Sequence, residues 1–179
     1  MNEKELSAEL RATLDRLGSR CVYHTEVGVA CWTHGLRKQA DRLRIDYALE
    51  LDGRLLGIEV KAPPDKCADL GRDLLQCAQY AAGYITSNRA EVPQSWIGRP
   101  FEAVFLCTRA GDADDMLLDH FRSSHRLFGP SNVGLVMRER RGLCLRLCAA
   151  RFWTEWSGYH QGMLRKGIRV GNSTVSVGE

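Results

Sequence analysis

The chain has 179 residues, 44% hydrophobic and 26% charged, with a formal net charge of +3. That length supports one sizeable core and does not call for two, so a single domain over residues 1–170 and a mobile tail at 171–179 are expected. No run approaches the roughly 18 apolar residues of a membrane span, and the N-terminus lacks the apolar region of a signal peptide, so membrane and secreted classes are set aside in favour of an intracellular, cytoplasmic protein. Seven cysteines, an odd number without a CxxC pair, suit a reducing compartment where thiols act as small core residues.

Residues 3–17 read as an amphipathic helix, because Leu6, Leu10, Leu14 and Leu17 form one stripe and Gly18 follows where a helix would stop. Glu5 and Glu9 flank that stripe. Residues 21–32 are rich in β-formers and read as a strand with Glu26 at its middle. His24 and His34 lie nearby, and a lone His is more often structural than functional. Residues 33–44 form a basic connection with Arg37, Lys38, Arg42 and Arg44, placed to hold a nucleic-acid backbone.

Two apolar, β-rich runs at 45–51 and 55–60 flank Asp52 and Gly53, a pair suited to a two-residue hairpin turn. Strand alternation puts Glu59 and Lys61 on one face and Ile58 and Val60 on the other, with Asp46 opposite Ile45 and Tyr47. The expectation is one apolar face and one face carrying two carboxylates and an ammonium. Holding those charges together makes sense if something charged binds between them, most simply a divalent cation. Asp46, Glu59 and the Val60 carbonyl offer hard oxygens suited to magnesium, with manganese substituting, and Lys61 could orient or deprotonate a bound water.

Pro63 and Pro64 end the strand, and Leu70, Leu74, Cys77, Ala81 and Ile85 recur at helical spacing over 67–85. Arg72, Gln76 and Tyr80 step by four along another face. Residues 88–100 read as a loop, in which Trp96 is either a base-stacking platform or, more ordinarily, a cap on the core. Residues 101–108 read as a buried strand, 111–128 as a helix, and 133–138 with 143–149 as a second hairpin around Arg140, Arg141 and Gly142. The aromatic run at 151–156 reads as packing.

Charge is divided unevenly: residues 120–179 hold ten Lys or Arg against three Asp or Glu, and residues 1–119 hold fifteen against nineteen. Twenty Arg against five Lys suits bidentate phosphate contacts, although GC-rich coding gives the same bias. A basic last third fits contact with nucleic acid, with Arg138, Arg140 and Arg141 on the projecting hairpin as the leading candidates; a solvated surface is the plain alternative.

Asp46 at a strand start and Glu59-Val60-Lys61 at the end of the next strand resemble the PD-(D/E)XK nuclease superfamily, with Ile45 standing at the name-giving proline. The run from Gln76 to Tyr80 resembles the QxxxY signature of its RecB-like members, with Gln79 as the near alternative to Gln76. The resemblance covers roughly residues 1–110. It implies an α/β, restriction-endonuclease-like αβββαβ core, a mixed central sheet flanked by helices, here with a C-terminal helix and β-hairpin as an extension. It also implies a magnesium-dependent DNA endonuclease or exonuclease. Asp46 and Glu59 would be metal ligands, Lys61 and Gln76 catalytic groups, Tyr80 and Arg72 nucleic-acid contacts, and Glu9 or Glu26 a further acid. A junction-resolving member would act as a homodimer. Some RecB-like nucleases carry a four-Cys iron–sulfur cluster, but this chain lacks the C-terminal grouping of cysteines, so none is expected. Two other readings stay open: a catalytically silent nucleic-acid-binding or protein-interaction module on the same fold, and an unrelated binding protein in which the motif is coincidental.

Overall fold

The computed structural model describes residues 2–31, 42–51, 53–62, 67–86, 91–108, 132–139, 142–147 and 169–171; at 42, 67, 68, 137–139, 142–147 and 169–171 only the backbone is described. Helix α1 (Glu3–Asp15) starts at Asn2, whose side chain accepts from the Glu5 N–H at 3.0 Å while Glu5 Oε2 accepts from the Asn2 N–H at 2.8 Å. This reciprocal cap satisfies two N–H groups that a helix start otherwise leaves open. The helix stops short of residue 17 because the chain tightens into a 3-10 turn at Gly18–Arg20, with Gly18 at φ +56°.

Strands β1 (Cys21–Cys31), β2 (Arg42–Leu51) and β3 (Arg54–Val60) form an antiparallel meander. Leu51 pairs with Arg54, so two residues close the hairpin, and Gly53 supplies the φ of +79° that this turn requires. Strand β2 begins before residue 45 because Arg42 to Arg44 pair with Gly28 to Ala30 of β1. Helix α2 (Cys67–Ala81) leads into β4 (Gly83–Ile85), and β5 (Ala103–Cys107) runs parallel to β3. Strands β6 (Val133–Glu139), β7 (Gly142–Leu147) and β8 (Arg169–Gly171) complete the order β4-β1-β2-β3-β5-β6-β7-β8. The molecule is thus an α/β protein, with a six-stranded mixed open sheet from β4 to β6 in an αβββαβ-like order and two further strands beyond β6.

The helix predicted over 67–85 is four residues too long. Ile85 fits both a helical repeat and a strand, but here its segment pairs with β1. A Cβ on Gly83 would come 2.7 Å from Val29 Cγ1 and 2.8 Å from the Ala30 carbonyl, so only glycine lets this edge strand approach. The loop then folds back, with Ile85 N–H donating to the Arg99 carbonyl and Gly98 N–H to the Ile85 carbonyl. Gly171, assigned to the tail, ends β8, while residues 172–179, the helix predicted over 111–128 and the aromatic run at 151–156 lie outside the described residues.

The predicted division into one apolar and one charged face is corrected by the packing. Leu6, Leu10 and Leu14 cover one side of the sheet together with Tyr47, Leu49, Ile58, Val60 and Phe105. Leu70, Leu74, Cys77 and Tyr80 cover the other with Val27, Ile45, Leu55 and Val104. Both faces are therefore core. Ile45 and Tyr47, two residues apart, go to opposite faces, as do Tyr23 and Val27 on the partner strand. The swap falls at Asp46 and Glu26, where Glu26 takes φ +54°, a left-handed conformation costly for a non-glycine residue. Among the described residues no helix is long and apolar enough to cross a membrane.

Candidate active site

Strands β2 and β3 part company at the swap. Their ladder ends at Tyr47 opposite Ile58, and beyond it side chains take over the hydrogen bonding. Asp46 Oδ2 accepts from the Val60 N–H at 2.7 Å, and Glu59 Oε2 accepts from the Asp46 N–H at 3.4 Å. Two carboxylates thus sit where two strands splay, because each replaces a carbonyl that the ladder would have supplied.

Glu59 is 2% exposed, and its Oε1 is held from two sides. Lys61 Nζ lies 2.6 Å away, and Gln76 Nε2 donates at 3.0 Å. The same Gln76 nitrogen donates to the Tyr80 hydroxyl at 2.7 Å, and Tyr80 donates in turn to the Arg44 carbonyl. This chain ties α2 to β2 through β3. Both Gln76 N–H groups are spent on protein, so Gln76 braces Glu59 and has no amide proton left for a water or phosphate. Tyr80, expected from the sequence as a nucleic-acid contact, is 1% exposed, and its hydroxyl accepts from Gln76 and donates to a strand carbonyl. Gln79 is exposed on the helix, with its carbonyl taking the Cys31 thiol.

Burial drives the electrostatics. It pushes the Glu59 carboxyl up to about 7, with the Asp46 charge adding to the rise and Lys61 opposing it. Burial also raises Asp46 against the Val60 N–H and Lys61, which favour its charged form. For Lys61, burial works downward, but the hydrogen bond to Glu59 and the charges of Glu59 and Asp46 outweigh it and the ammonium is raised. The Glu59 and Asp46 charges thus favour the protonated ammonium of Lys61.

A cleft of about 480 Å³ opens between α1 and this strand end, lined in part by Asp46, Val60, Glu26 and Glu3. Of the two further acids proposed from sequence, Glu26 borders the cleft and Glu9 does not. Arg44 is exposed beside it, with Nη1 3.8 Å from Glu26. Arg72 turns to Asp69 and Asp73 on its own helix, at 3.4 and 3.9 Å. For Arg42 and Arg138 only the backbone in β2 and β6 is described, and Arg140 and Arg141 lie outside the described residues. His24 stacks edge-on against Trp96, whose indole donates to Glu50 at 2.8 Å, so both belong to the packed edge of the sheet.

Sequence reasoning missed Glu3 and Asp73. The Glu3 charge is felt at Asp46 and Lys61, and Asp73 is buried with Lys61 acting on it. The spacing of Asp73, Gln76 and Tyr80 at i, i+3 and i+7 carried a usable signal for one helix face. Cys21, Cys31, Cys77 and Cys107 form no disulfide among the described residues. Among the described residues no three His, Cys, Asp or Glu side chains gather at metal-holding distance.

The chain is, at the level its fold and site define, an α/β protein with a mixed open sheet and an Asp–Glu–Lys group, Glu59 buried and Asp46 and Lys61 half-buried, where two strands diverge. No family model, curated protein or solved structure matches it.

Proposed function

We propose that this chain is a magnesium-dependent nuclease, with manganese able to substitute, that hydrolyses phosphodiester bonds in DNA as an endonuclease or exonuclease. What carries the reading is the convergence of Asp46, Glu59 and Lys61 at one buried strand end, braced by Gln76. Gathering two carboxylates and an ammonium in low dielectric costs folding energy that an apolar cluster would not, and such perturbed groups beside a cleft are the mark of a working site.

The donors suit the ion. Asp46, Glu59 and the Val60 carbonyl are the hard oxygens that would hold it, and magnesium keeps water in place of further protein ligands. Asp46 Oδ1 has no hydrogen-bond partner among the described residues, and Asp46 lines the open cleft. When bound, such an ion lowers the pKa of a water and offsets phosphate charge. The chain's own residues do the rest: Lys61 contributes a fixed positive charge, Gln76 and Tyr80 lock the Glu59 carboxylate, and Arg44 offers a guanidinium near the cleft.

A second reading has one observation in its favour. Glu59 is fully engaged by Lys61, Gln76 and the Asp46 N–H, as it would be in a catalytically silent nucleic-acid-binding module. Incubation with plasmid, linear duplex, single-stranded and four-way-junction DNA in magnesium or manganese, beside Asp46→Ala and Lys61→Ala, separates the two. The nuclease reading expects metal-dependent cleavage that both substitutions abolish. Binding without cleavage in every metal favours the silent module, and cleavage surviving both substitutions refutes the site.

A further inference from the structure

Helix α1 has two working faces. Leu6, Leu10 and Leu14 are buried against the sheet, while Lys4, Ser7, Ala8, Arg11 and Ala12 line the cleft that reaches Asp46 and Val60. Lys4 and Arg11 are seven residues apart, two helical turns, so they share a face and stand about 10 Å apart along the axis. Small side chains separate them, leaving a shallow wall between two cations.

These cations differ from those around them. Lys61 is paired with Glu59, Arg44 with Glu26, Arg54 with Glu102 and Arg72 with Asp69 and Asp73. Lys4 and Arg11 are exposed and form no ion pair among the described residues, although Glu3, Asp15, Glu26 and Asp46 line the same cleft. The wall is also held in place. Ser7 Oγ and the Tyr47 hydroxyl lie 2.6 Å apart, and Tyr47 also donates to the Ser7 carbonyl at 3.1 Å, which fastens α1 to the residue after Asp46.

From this we infer that the cleft face of α1 is the phosphate-binding wall of the site, Lys4 and Arg11 contacting two different phosphates of the strand whose bond lies over Asp46. The inference rests on the nuclease reading and extends it to the binding of substrate. Two cations borne two turns apart on one helix face, about 10 Å along its axis, suit a chain of separated phosphates rather than one terminal phosphate. The acids that share the cleft outnumber these cations, four to two, so the wall holds a nucleic-acid strand when a divalent cation neutralises the floor.

The test is the salt dependence of binding of a fluorescein-labelled 20-mer DNA duplex, read by anisotropy in calcium and in EDTA. Each phosphate contact contributes a slope of about 0.9 in log affinity against log salt, so Lys4→Ala with Arg11→Ala should lower the slope by about 2. The charge-keeping pair Lys4→Arg and Arg11→Lys should keep it, and so should Arg54→Ala, at the other end of β3 from Lys61. Affinity in EDTA should fall for the wild type. Both alanines replace exposed side chains, and an unchanged far-UV spectrum establishes that the fold is kept. A wild type that cleaves plasmid while the double variant keeps its slope overturns the wall and leaves the nuclease reading standing. A wild type that neither binds nor cleaves DNA overturns both. A double variant that loses a poly-glutamate peptide but not DNA shows an acidic-protein surface instead, and also overturns the wall.

Discussion

Lys61 Nζ lies 2.6 Å from Glu59 Oε1, and the two residues project from the same end of one strand into a site where, among the described residues, Lys61 is the cation paired with a 2%-exposed carboxylate. Removing Lys61 therefore strands Glu59. The Lys61→Met variant should lose about 3 kcal/mol of stability above pH 7, the scale of breaking a buried pair, in urea denaturation. On the proposed nuclease reading, cleavage should also fall by at least about 100-fold, because a positive charge beside the proposed metal site is lost.

Glu59 also sets a pH dependence for the metal-free protein. Its carboxyl titrates at about 7 in the fold, against an ordinary value of 4.5, chiefly because of burial. Between those values the folded state binds more protons than the unfolded one. The contribution is full below about 4.5 and is lost as pH rises through about 7, so stability should decline across that window and level off above it. Glu59→Gln should flatten the decline. Urea midpoints at half-unit pH intervals measure both.

Tyr80 acts through Gln76. Tyr80→Phe removes the donor to the Arg44 carbonyl and the acceptor for Gln76, leaving buried polar atoms unpaired. A loss of about 1 to 3 kcal/mol follows in thermal or urea unfolding. In the cleavage assay kcat should fall with KM nearly unchanged, because the hydroxyl faces protein and not the cleft.

Gly57 leaves room for the Ile45 side chain beside the site. A Cβ there would sit 2.5 Å from Ile45 Cδ1 and 3.2 Å from Val104 Cγ2. Ile45 is the residue before Asp46 and is fully buried, so Gly57→Ala should cost about 1 to 3 kcal/mol and displace Asp46 as well. Lowered stability together with lost cleavage checks this; a variant with full stability and activity contradicts it.

Much of the layout was legible because it follows local chemistry. The Asp52 and Gly53 turn, the leucine stripe of α1 and the wholly apolar β5 each announce their structure through spacing that tertiary contacts reinforce. Asp46, Glu59 and Lys61 were readable as one group because a tight hairpin leaves little freedom in where its far ends meet. Other features depend on distant partners. Strand alternation presumes an unbroken ladder, and nothing about Glu26 advertises its left-handed backbone, so the face swap at Asp46 was hidden. Strand β4 was hidden because three residues carry no period and Ile85 continues a helical repeat. Tyr80 looked available because a polar row on a helix gives no sign that its hydroxyl ends under Arg44. The Glu3 position was missed because proximity along the chain to Asp46 says little about which turn of α1 overhangs the cleft.

The claim everything turns on is that Asp46 and Glu59 together hold a divalent cation, and it can be tested without knowing the substrate. Manganese titrated into the protein and followed by the resonance of the free ion reads occupancy directly. One site per chain is expected, weakened about tenfold or more by Asp46→Asn and again by Glu59→Gln. Manganese bound equally well by the wild type and both variants, or by none of them, would contradict it.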